Sequence, residues 1–381
     1  MDSFDVVVIG SGFGGAVTAY RLASAGHSVC VLERGRAYPP GSFARSPYTV
    51  HRAFWDPDSG YTGLFDVWSF RHMNGVVAAG LGGGSLIYAN VLIRKDENWF
   101  ADTGSSSGGA WPISRRTLDP HYDNVEQVLS PQVFPMRSEP YTEVRKTAEF
   151  MQAAAAEGFM PTDHNRVDVR LRQWYLPLLG ITFANDGRPP APGEAIRENV
   201  RNLHDRDRQT CRLVGECDLG CNYGSKNSLD YNYLTLASVR HGADLRTLAN
   251  AKTIELDNAG ITVTYRQYEA AEAETNGRTP FHDRRVRGRH VVLAAGTFGT
   301  NLLLRRNYDN LRGLSPRLGQ GFSGNGDLLT MVLRASRTVD GKKQNRILDP
   351  SYGPVITSTL RSPDGLDDGS SRRGFYLQDA G

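Results

Sequence analysis

The sequence predicts an α/β fold, on three observations made within its first 35 residues. Residues 6–9 are an unbroken β-branched run, as expected of a strand buried on both faces of a parallel sheet. Residues 16–25 carry small apolar side chains at helical spacing, and Gly26 supplies a helix end. Residues 28–32 form a second apolar run. Strand, helix and strand in this order make a βαβ unit, which is the opening of a Rossmann-like domain.

The elements that follow extend the same domain around a different middle region. In chain order the sequence predicts helices within 117–160, a helix over 229–242, a hairpin of strands 251–256 and 261–265, an exposed polar turn region over 269–289, a buried strand over 290–295 and a helix over 300–306. Strands and helices of one type therefore stand at both ends of the chain, with other sequence between them. This order predicts a second domain inserted into the first.

Composition excludes several classes of protein. The chain has 381 residues, enough for two domains, and 44 basic against 41 acidic side chains give a net charge of +3. That balance gives no reason to expect nucleic acid or an anionic membrane as a partner. No apolar run approaches the roughly 20 residues that span a bilayer, so no transmembrane segment is expected. Asp2 and Asp5 stand where a secretory leader would be basic, and four cysteines are too few for a disulfide scaffold. A cytoplasmic location with reduced thiols is therefore expected.

The turn after the first strand carries a phosphate-binding motif. It reads Gly10-Ser11-Gly12-Phe13-Gly14-Gly15 and fits G-x-G-x-x-G between a strand and a helix. Such glycines allow a tight turn, close approach of backbone to a pyrophosphate and close packing of helix on strand. The helix N-terminus then presents free N–H groups to the phosphates. Glu33 ends the next strand, where a carboxylate accepts both ribose hydroxyls of an adenosine and repels a 2′-phosphate. The motif predicts a dinucleotide other than NADP and leaves FAD and NAD open.

Two further segments favour FAD. Residues 290–297 form an apolar strand that ends in small residues, so its tip is able to lie against a cofactor. Residues 80–84 hold four glycines in five positions, and glycine loses more backbone entropy on folding than any other residue. Such a run is usually kept where backbone must approach a ligand closely.

These three segments, in this order and spacing, resemble the glucose-methanol-choline (GMC) oxidoreductase family, and within it the cholesterol-oxidase-like branch. The likeness is carried by the cradle ending in Leu32-Glu33-Arg34-Gly35, the flavin-loop motif at 82–86, the strand at 291–296 and residues 318–327. The resemblance implies an α/β fold in which a Rossmann-like FAD-binding domain is interleaved with an α+β substrate domain built on an antiparallel sheet. It places the FAD-binding domain at 1–45, 72–95 and 205–327, and the substrate domain at 46–71, 96–204 and 328–381.

The resemblance also implies a set of FAD contacts. The pyrophosphate is expected on residues 10–15, the adenosine ribose on Glu33 and the adenine near Ala251. The expected cofactor-binding residues are Gly10, Ser11, Gly12, Phe13, Gly14, Gly15, Glu33, Arg34, Gly80, Gly82, Gly83, Gly84, Ser85, Asn90, Ala251, Ala295, Gly296, Asn325, Gly326 and Asp327. The motif at 80–90 offers no suitable residue for a covalent bond to flavin, so non-covalent FAD is expected.

The activity implied by the resemblance is oxidation of the CH–OH group of a bulky, apolar, sterol-like alcohol. Hydride goes to flavin N5 while a base takes the hydroxyl proton, and the electron acceptor is oxygen or unknown. The family's base is a histidine partnered by Asn or His far toward the C-terminus of a longer chain, whereas the last histidine here is His290. No catalytic residue is therefore assigned, and His72 is favoured as a surface or core residue. A truncated flavin-binding remnant without turnover and an NAD-dependent dehydrogenase stay as alternatives.

Cys211, Cys217 and Cys221 form a cluster that is open to several interpretations. Three thiols at these spacings fall short of a four-ligand zinc or iron–sulfur site, so no metal is expected and a compact turn with buried cysteines is favoured. A metal site and a redox-labile thiol pair stay open. Lys226 and Asn227, just after the cluster, are expected to brace the FAD domain. An apolar substrate pocket and an ordinary core are equally good interpretations of the aromatic residues Trp55, Tyr61, Phe65, Trp68, Trp174, Tyr175 and Phe183.

Overall fold

The computed structural model of the protein describes residues 1–100, 111–258, 260–269, 277–324, 328–330, 336–345, 352–363 and 374–380. Its largest sheet has six strands, which in chain order are β1 (Asp2–Ile9), β2 (Val29–Leu32), β3 (Asp244–Arg246), β4 (Ala249–Asp257), β5 (Gly260–Tyr268) and β6 (Phe281–Leu293). Their order across the sheet is β3-β2-β1-β6-β5-β4. The first four in this order are parallel, and β5 and β4 form an antiparallel extension beside β6.

Helices cover both faces of this sheet. The helices are α1 (Phe13–Ser24), α2 (Arg115–Leu129), α3 (Arg145–Ala156), α4 (Tyr233–Thr235), which continues as a π-helical turn over Leu236–Arg240, and α5 (Gly296–Arg306). Short 3-10 turns lie at Pro47–Ala53, Pro57–Ser59, Gly83–Leu86, Glu97–Trp99, Tyr141–Glu143, His164–Arg166 and Cys217–Leu219. The α/β class predicted from the sequence is confirmed.

Strand β1 shows why the opening run of the sequence is apolar at every position. Val7 packs in one core cluster together with Leu303 of α5. Val8 packs in a second cluster together with Ala19 and Ala23 of α1. Alternate side chains of a strand point to opposite faces of its sheet, so a helix on each face requires an unbroken apolar run.

The remaining strands build smaller sheets. A four-stranded sheet contains Met160–Pro161, Gln173–Tyr175, Thr359–Arg361 and Tyr376–Gln378, and a three-stranded sheet contains Val91–Leu92, Gln132–Val133 and Leu178–Leu179. Two-stranded units pair Trp55–Asp56 with Tyr61–Thr62, Phe65–Ser69 with Asn74–Ala78, and Ser336–Val339 with Lys342–Asn345. The four-stranded sheet is antiparallel, as expected, except where its first two strands pair in parallel. None of the described helices combines the length and apolar character that a membrane span requires.

The expectation of an exposed turn region over 269–289 is wrong for its second half. Residues 281–289 belong to β6, and residues 270–276 lie outside the described part of the chain. Arg285 of this strand pairs with Glu255 at 3.1 Å, and Arg287 pairs with Asp257 at 2.7 Å. Both acids lie on β4, two strands away, so the charged side chains of this half of β6 are paired across the sheet while its backbone pairs with β1 and β5.

The helix predicted over 229–242 begins late and changes its pitch. Asn232 caps the first turn, because its side-chain oxygen accepts a hydrogen bond from the Tyr233 amide at 2.6 Å. The α-helix gives way to π-helical turns at Leu236 and ends at Arg240. Isolated π turns of this kind are frequent at functional sites and are not visible in apolar periodicity.

Candidate cofactor site

A cleft of about 660 Å³ lies where β1, β2 and β6 end. Its floor consists of residues 9–14, 32–34 and 294–299, which follow these three strands directly. Helix α1 covers one face of the sheet and α5 the other, so the cleft stands where the chain changes face. Open parallel sheets bind their ligands at this point, outside the carboxyl ends of the strands.

Gly10 and Gly15 bring strand, helix and β6 into direct backbone contact. Gly10 has a φ of +101°, and a Cβ added to it would lie 2.3 Å from the carbonyl oxygen of Ala294. A Cβ added to Gly15 would lie 1.9 Å from the carbonyl oxygen of Gly10. No side chain fits at either position without movement of backbone, so the turn requires glycine at both.

A second glycine loop, at residues 80–84, packs against the first loop through backbone atoms. Gly83 has a φ of +54°, and a Cβ added to it would lie 2.6 Å from the Cα of Gly12. The Gly82 amide donates to the hydroxyl of Ser11 at 3.0 Å, and the Ser85 hydroxyl donates to the Gly82 carbonyl at 2.7 Å. The three glycine-bearing segments singled out in the sequence therefore converge, through backbone, on one cleft.

Glu33 lies at the end of β2, on the cleft wall, and is buried. Its Oε2 accepts from the Ser11 hydroxyl at 2.6 Å and from the Ser11 amide at 3.1 Å, and its Oε1 accepts from the Gly35 amide at 2.9 Å. Burial raises the pKa of this carboxyl, and the hydrogen bonds from Gly35 and Ser11 act against that rise. A carboxylate offers about four acceptor positions, and three are taken. Glu33 is thus left with room for one ribose hydroxyl, where the sequence predicted two.

Two helices begin at the cleft, and neither has a side-chain cap at its N-terminus. The N-cap of α1 is Gly12 and that of α5 is Ala295, and neither has a capping side-chain hydrogen bond. The first turn of each helix contains no acidic residue. Free N–H groups and the positive ends of two helix dipoles therefore face the same space, which suits an anionic group.

The predicted cofactor residues separate into those on the cleft wall and those behind it. The wall includes Gly10, Ser11, Gly12, Phe13, Gly14, Glu33, Arg34, Gly83, Gly84, Ala251, Ala295 and Gly296. Four of the predicted residues do not line the cleft but lie in the same segments, behind its wall: Gly15, Gly80, Gly82 and Ser85. Asn90 is fully buried, and its side-chain amide has no hydrogen-bond partner among the described residues. Asn325, Gly326 and Asp327 lie outside the described residues.

The cleft has an aromatic wall that includes Trp55 and Trp68, which the sequence left open as substrate-pocket or core residues. Trp68 lies on the hairpin of Phe65–Ser69 and Asn74–Ala78, and its ring stacks on Phe298 with centroids 5.6 Å apart. Trp55 meets Tyr268 edge to face at 5.7 Å. The one local signal was Gly75, because a Cβ there would lie 2.4 Å from the ring of Phe298. By contrast Trp174, Tyr175 and Phe183 are buried, Trp174 and Phe183 in core clusters. Some of these aromatic residues are therefore core, and Trp55 and Trp68 line the cofactor cleft.

The cysteine cluster packs mainly as core. Cys211 is buried among Phe134, Tyr141 and Phe183, with Cys217 against it. Burial raises the pKa of both thiols, so they stay protonated near neutral pH. Among the described residues, no group of three or more His, Cys, Asp or Glu side chains is arranged so that it could hold a metal ion. This geometry fits the compact-turn interpretation.

Lys226 and Asn227 tie this turn to the rest of the molecule. The Lys226 ammonium donates to the carbonyl oxygens of Tyr88 at 2.6 Å and Cys217 at 2.8 Å, and burial lowers its pKa to about 8. The Asn227 amide donates to the carbonyl oxygen of Leu129, the last residue of α2, at 2.9 Å. Both side chains brace backbone, as the sequence led us to expect.

Replacement of Lys226 by methionine tests this bracing. We expect Lys226→Met to lower the free energy of unfolding by about 1–3 kcal/mol, because two partly buried carbonyl groups lose their donor. Lys343→Met, at an exposed position of a separate hairpin, serves as the control and should change stability by less than about 0.5 kcal/mol. Urea denaturation measures both. Equal stability of the two variants would contradict the bracing role.

Comparison with known proteins gives matches over most of the chain. A family model described as FAD dependent oxidoreductase matches residues 5–65, and one described as GMC oxidoreductase matches residues 194–308. A cholesterol oxidase of Mycobacterium tuberculosis is 32% identical over 362 residues, which are 94% of this chain and 56% of that protein. A cholesterol oxidase of Acinetobacter baumannii is 27% identical over 349 residues, 89% of this chain and 57% of that protein. The chain thus spans little more than half the length of these relatives.

Solved structures of two oxidases are also similar to the chain. A fungal aryl-alcohol oxidase is 17% identical with a TM-score of 0.46, over 81% of this chain and 48% of that one. A formate oxidase of Aspergillus oryzae is 15% identical with a TM-score of 0.43, over 80% and 47%. These scores are too low to add to the assignment.

The fold and the cleft define an α/β protein with a dinucleotide-type site, in which glycine loops and a strand-end carboxylate lie on one cleft. The matches support a GMC oxidoreductase of the cholesterol-oxidase-like kind, with FAD as its cofactor. The NAD-dependent alternative therefore does not stand.

Proposed function

We propose that this chain carries the flavin site of an oxidoreductase that oxidises the CH–OH group of a bulky, apolar, sterol-like alcohol. The observation that supports this most is the convergence of three glycine-bearing backbone segments on a single cleft. The similarity to cholesterol oxidases supports the class of substrate. The aromatic wall at Trp68 and Phe298 supports an apolar partner for the bound flavin.

The residues of the cleft fit FAD. Added Cβ atoms at Gly14, Gly84 and Gly296 would meet nothing within 4 Å, so backbone there is open to a ligand. In this proposal the uncapped N-terminus of α1 holds the pyrophosphate, Oε1 of Glu33 accepts a ribose hydroxyl, and Ala251 lies near the adenine. Bound FAD supplies hydride acceptance at its ring, and the protein supplies orientation and the exclusion of water.

The proton acceptor is not among the described residues of the cleft. Their ionisable side chains are the acids Glu33 and Asp58, the phenol of Tyr268 and four cations, with no histidine among them. His72 is exposed at the tip of the aromatic hairpin. This observation favours a second candidate, flavin binding without turnover by this chain alone.

Further parts of the proposal concern organisation and location. We keep the domain division given above, because the six-stranded sheet draws on residues 2–32 and 244–293, and the four-stranded sheet on residues 160–175 and 359–378. We propose dissociable FAD and a cytoplasmic location, which four free thiols support. The electron acceptor is oxygen or another oxidant.

Anaerobic flavin reduction tests the proposed activity. The purified chain should take up FAD and turn yellow, and excess sterol should bleach the flavin absorption, with ethanol as the control alcohol. Yellow protein that no alcohol bleaches would overturn the activity in favour of flavin binding without turnover. Protein that takes up no FAD would overturn both candidates.

A further inference from the structure

Three cations meet at the end of the cleft where α5 ends. Arg306 is the last residue of α5, and Gly296, the first, lines the same cleft. Eleven helical residues span about 16 Å, so the cleft extends along the whole helix. Lys252 of β4 and Arg266 of β5 complete the group on the cleft wall. We call these three residues the cationic end.

A β-bulge places Lys252 there. Ala251 pairs with Tyr265 and Thr253 pairs with Thr264, so Lys252 is one extra residue in β4 without a partner in β5. Bulges re-aim a side chain that regular pleating would direct elsewhere. Across the described residues, neither the Lys252 ammonium nor the Arg306 guanidinium makes a hydrogen bond or ion pair.

The Arg266 guanidinium packs on an aromatic ring, but one of its hydrogen-bond donors has no acceptor among the described residues. Its guanidinium lies 3.9 Å from the ring centroid of Phe281, and its buried Nε has no hydrogen-bond partner in the described chain. Asp283 Oδ1 is 3.8 Å from that Nε, beyond hydrogen-bond reach, and its side chain is largely exposed. Asp58 is engaged by Arg278 at 2.8 Å. Positive charge at the cationic end therefore exceeds the negative charge beside it.

The surroundings of Lys252 agree with an excess of positive charge. Its pKa is lowered to about 8, first by burial and then by Arg266 and Arg306, while Asp58 and Asp283 act in the opposite direction. An anion between the three cations would relieve their mutual repulsion. Guanidinium groups bind phosphate oxygens through paired N–H donors, and an ammonium group adds a compact charge.

We propose that Lys252, Arg266 and Arg306 form a subsite for the phosphate group of a small phosphate-bearing ligand, which binds while FAD occupies the rest of the cleft. The subsite rests on the proposed function in one respect, because we place it at the adenosine end of FAD. The two phosphates of FAD itself belong to the N-terminus of α1 in that arrangement. The cationic end therefore takes a second anion, not the pyrophosphate.

Calorimetric titration of FAD-loaded protein with inorganic phosphate tests the subsite. We expect saturable binding that weakens about tenfold in Lys252→Met and about tenfold in Arg306→Gln, since each change removes one charge-assisted contact. Arg305→Gln is the matched control, because Arg305 precedes Arg306 on α5, is exposed and does not line the cleft. It should bind phosphate as the unmodified chain does. Thermal melting and flavin content establish that each variant is folded.

The outcomes separate this inference from the proposed function. Absence of saturable phosphate binding by FAD-loaded protein would overturn the subsite. Phosphate binding by Lys252→Met and Arg306→Gln that is as tight as binding by the unmodified chain would also overturn it. Phosphate binding only to FAD-free protein, with release on FAD addition, would also overturn it, because the ion would then occupy the cradle at α1. Phosphate binding that depends on Lys252 in protein unable to take up FAD would support the subsite and overturn the proposed function.

Discussion

Substitution of Gly15 by alanine is expected to lower the free energy of unfolding by about 3 kcal/mol and FAD affinity by on the order of a hundredfold. The added Cβ would lie 1.9 Å from the Gly10 carbonyl oxygen and 3.2 Å from the Cβ of Ala294. The nearest of these atoms is backbone, so α1 has to move away from β1 and β6. That movement shifts the cleft wall, although Gly15 itself lies behind it.

Gly14→Ala is the matched control for stability. Gly14 precedes Gly15 on the same helical turn, and a Cβ there would meet nothing within 4 Å. Removal of a glycine from a helix is expected to stabilise the FAD-free protein by roughly 0.5–1 kcal/mol. Chemical denaturation of the FAD-free variants measures the difference, and fluorescence titration measures FAD affinity for Gly15→Ala. Similar stabilities for the two variants would show that close helix packing does not require Gly15.

How far the sequence predicts this protein depends on the range of the interactions involved. Residues 6–15 were predictable, because a strand buried on both faces and a glycine turn are determined by neighbours in sequence. The charged half of β6 was not, because Arg285 and Arg287 find their acids on a strand about 30 residues away. The aromatic hairpin was missed for the same reason, since Trp68 is ordered by Phe298.

Predictability of the candidate site also depends on the range of the interactions involved. Backbone-shaped parts of the cleft, such as Gly10 and Gly83, were found because only glycine fits them. Lys252 was missed because a β-bulge depends on how two strands pair, which apolar periodicity does not report. Glu33 was found, but its hydrogen bonds to Ser11 and Gly35 were not predicted. These bonds leave Glu33 able to accept one ribose hydroxyl, where the sequence predicted two.

Those bonds make Glu33→Gln the second change with a large expected effect. Glutamine has a single acceptor oxygen, whereas Glu33 accepts from Ser11 on one oxygen and from Gly35 on the other. In either orientation the side-chain NH₂ group faces an N–H or O–H donor, and a buried donor loses its acceptor. We expect unfolding free energy to fall by about 1–3 kcal/mol and FAD affinity to fall by roughly tenfold to a hundredfold.

Glu269→Gln separates this effect from loss of charge. Glu269 is exposed and directly follows β5, so the same change of charge there leaves the cleft intact. FAD affinity of Glu269→Gln should equal that of the unmodified chain in fluorescence titrations at one ionic strength. Because Ser11 also accepts from the Gly82 amide, a displaced Ser11 should loosen the flavin loop as well. Faster hydrogen exchange of the Gly82 amide in Glu33→Gln, but not in Glu269→Gln, is therefore expected, and unchanged exchange would mean that Ser11 does not couple the carboxylate to that loop.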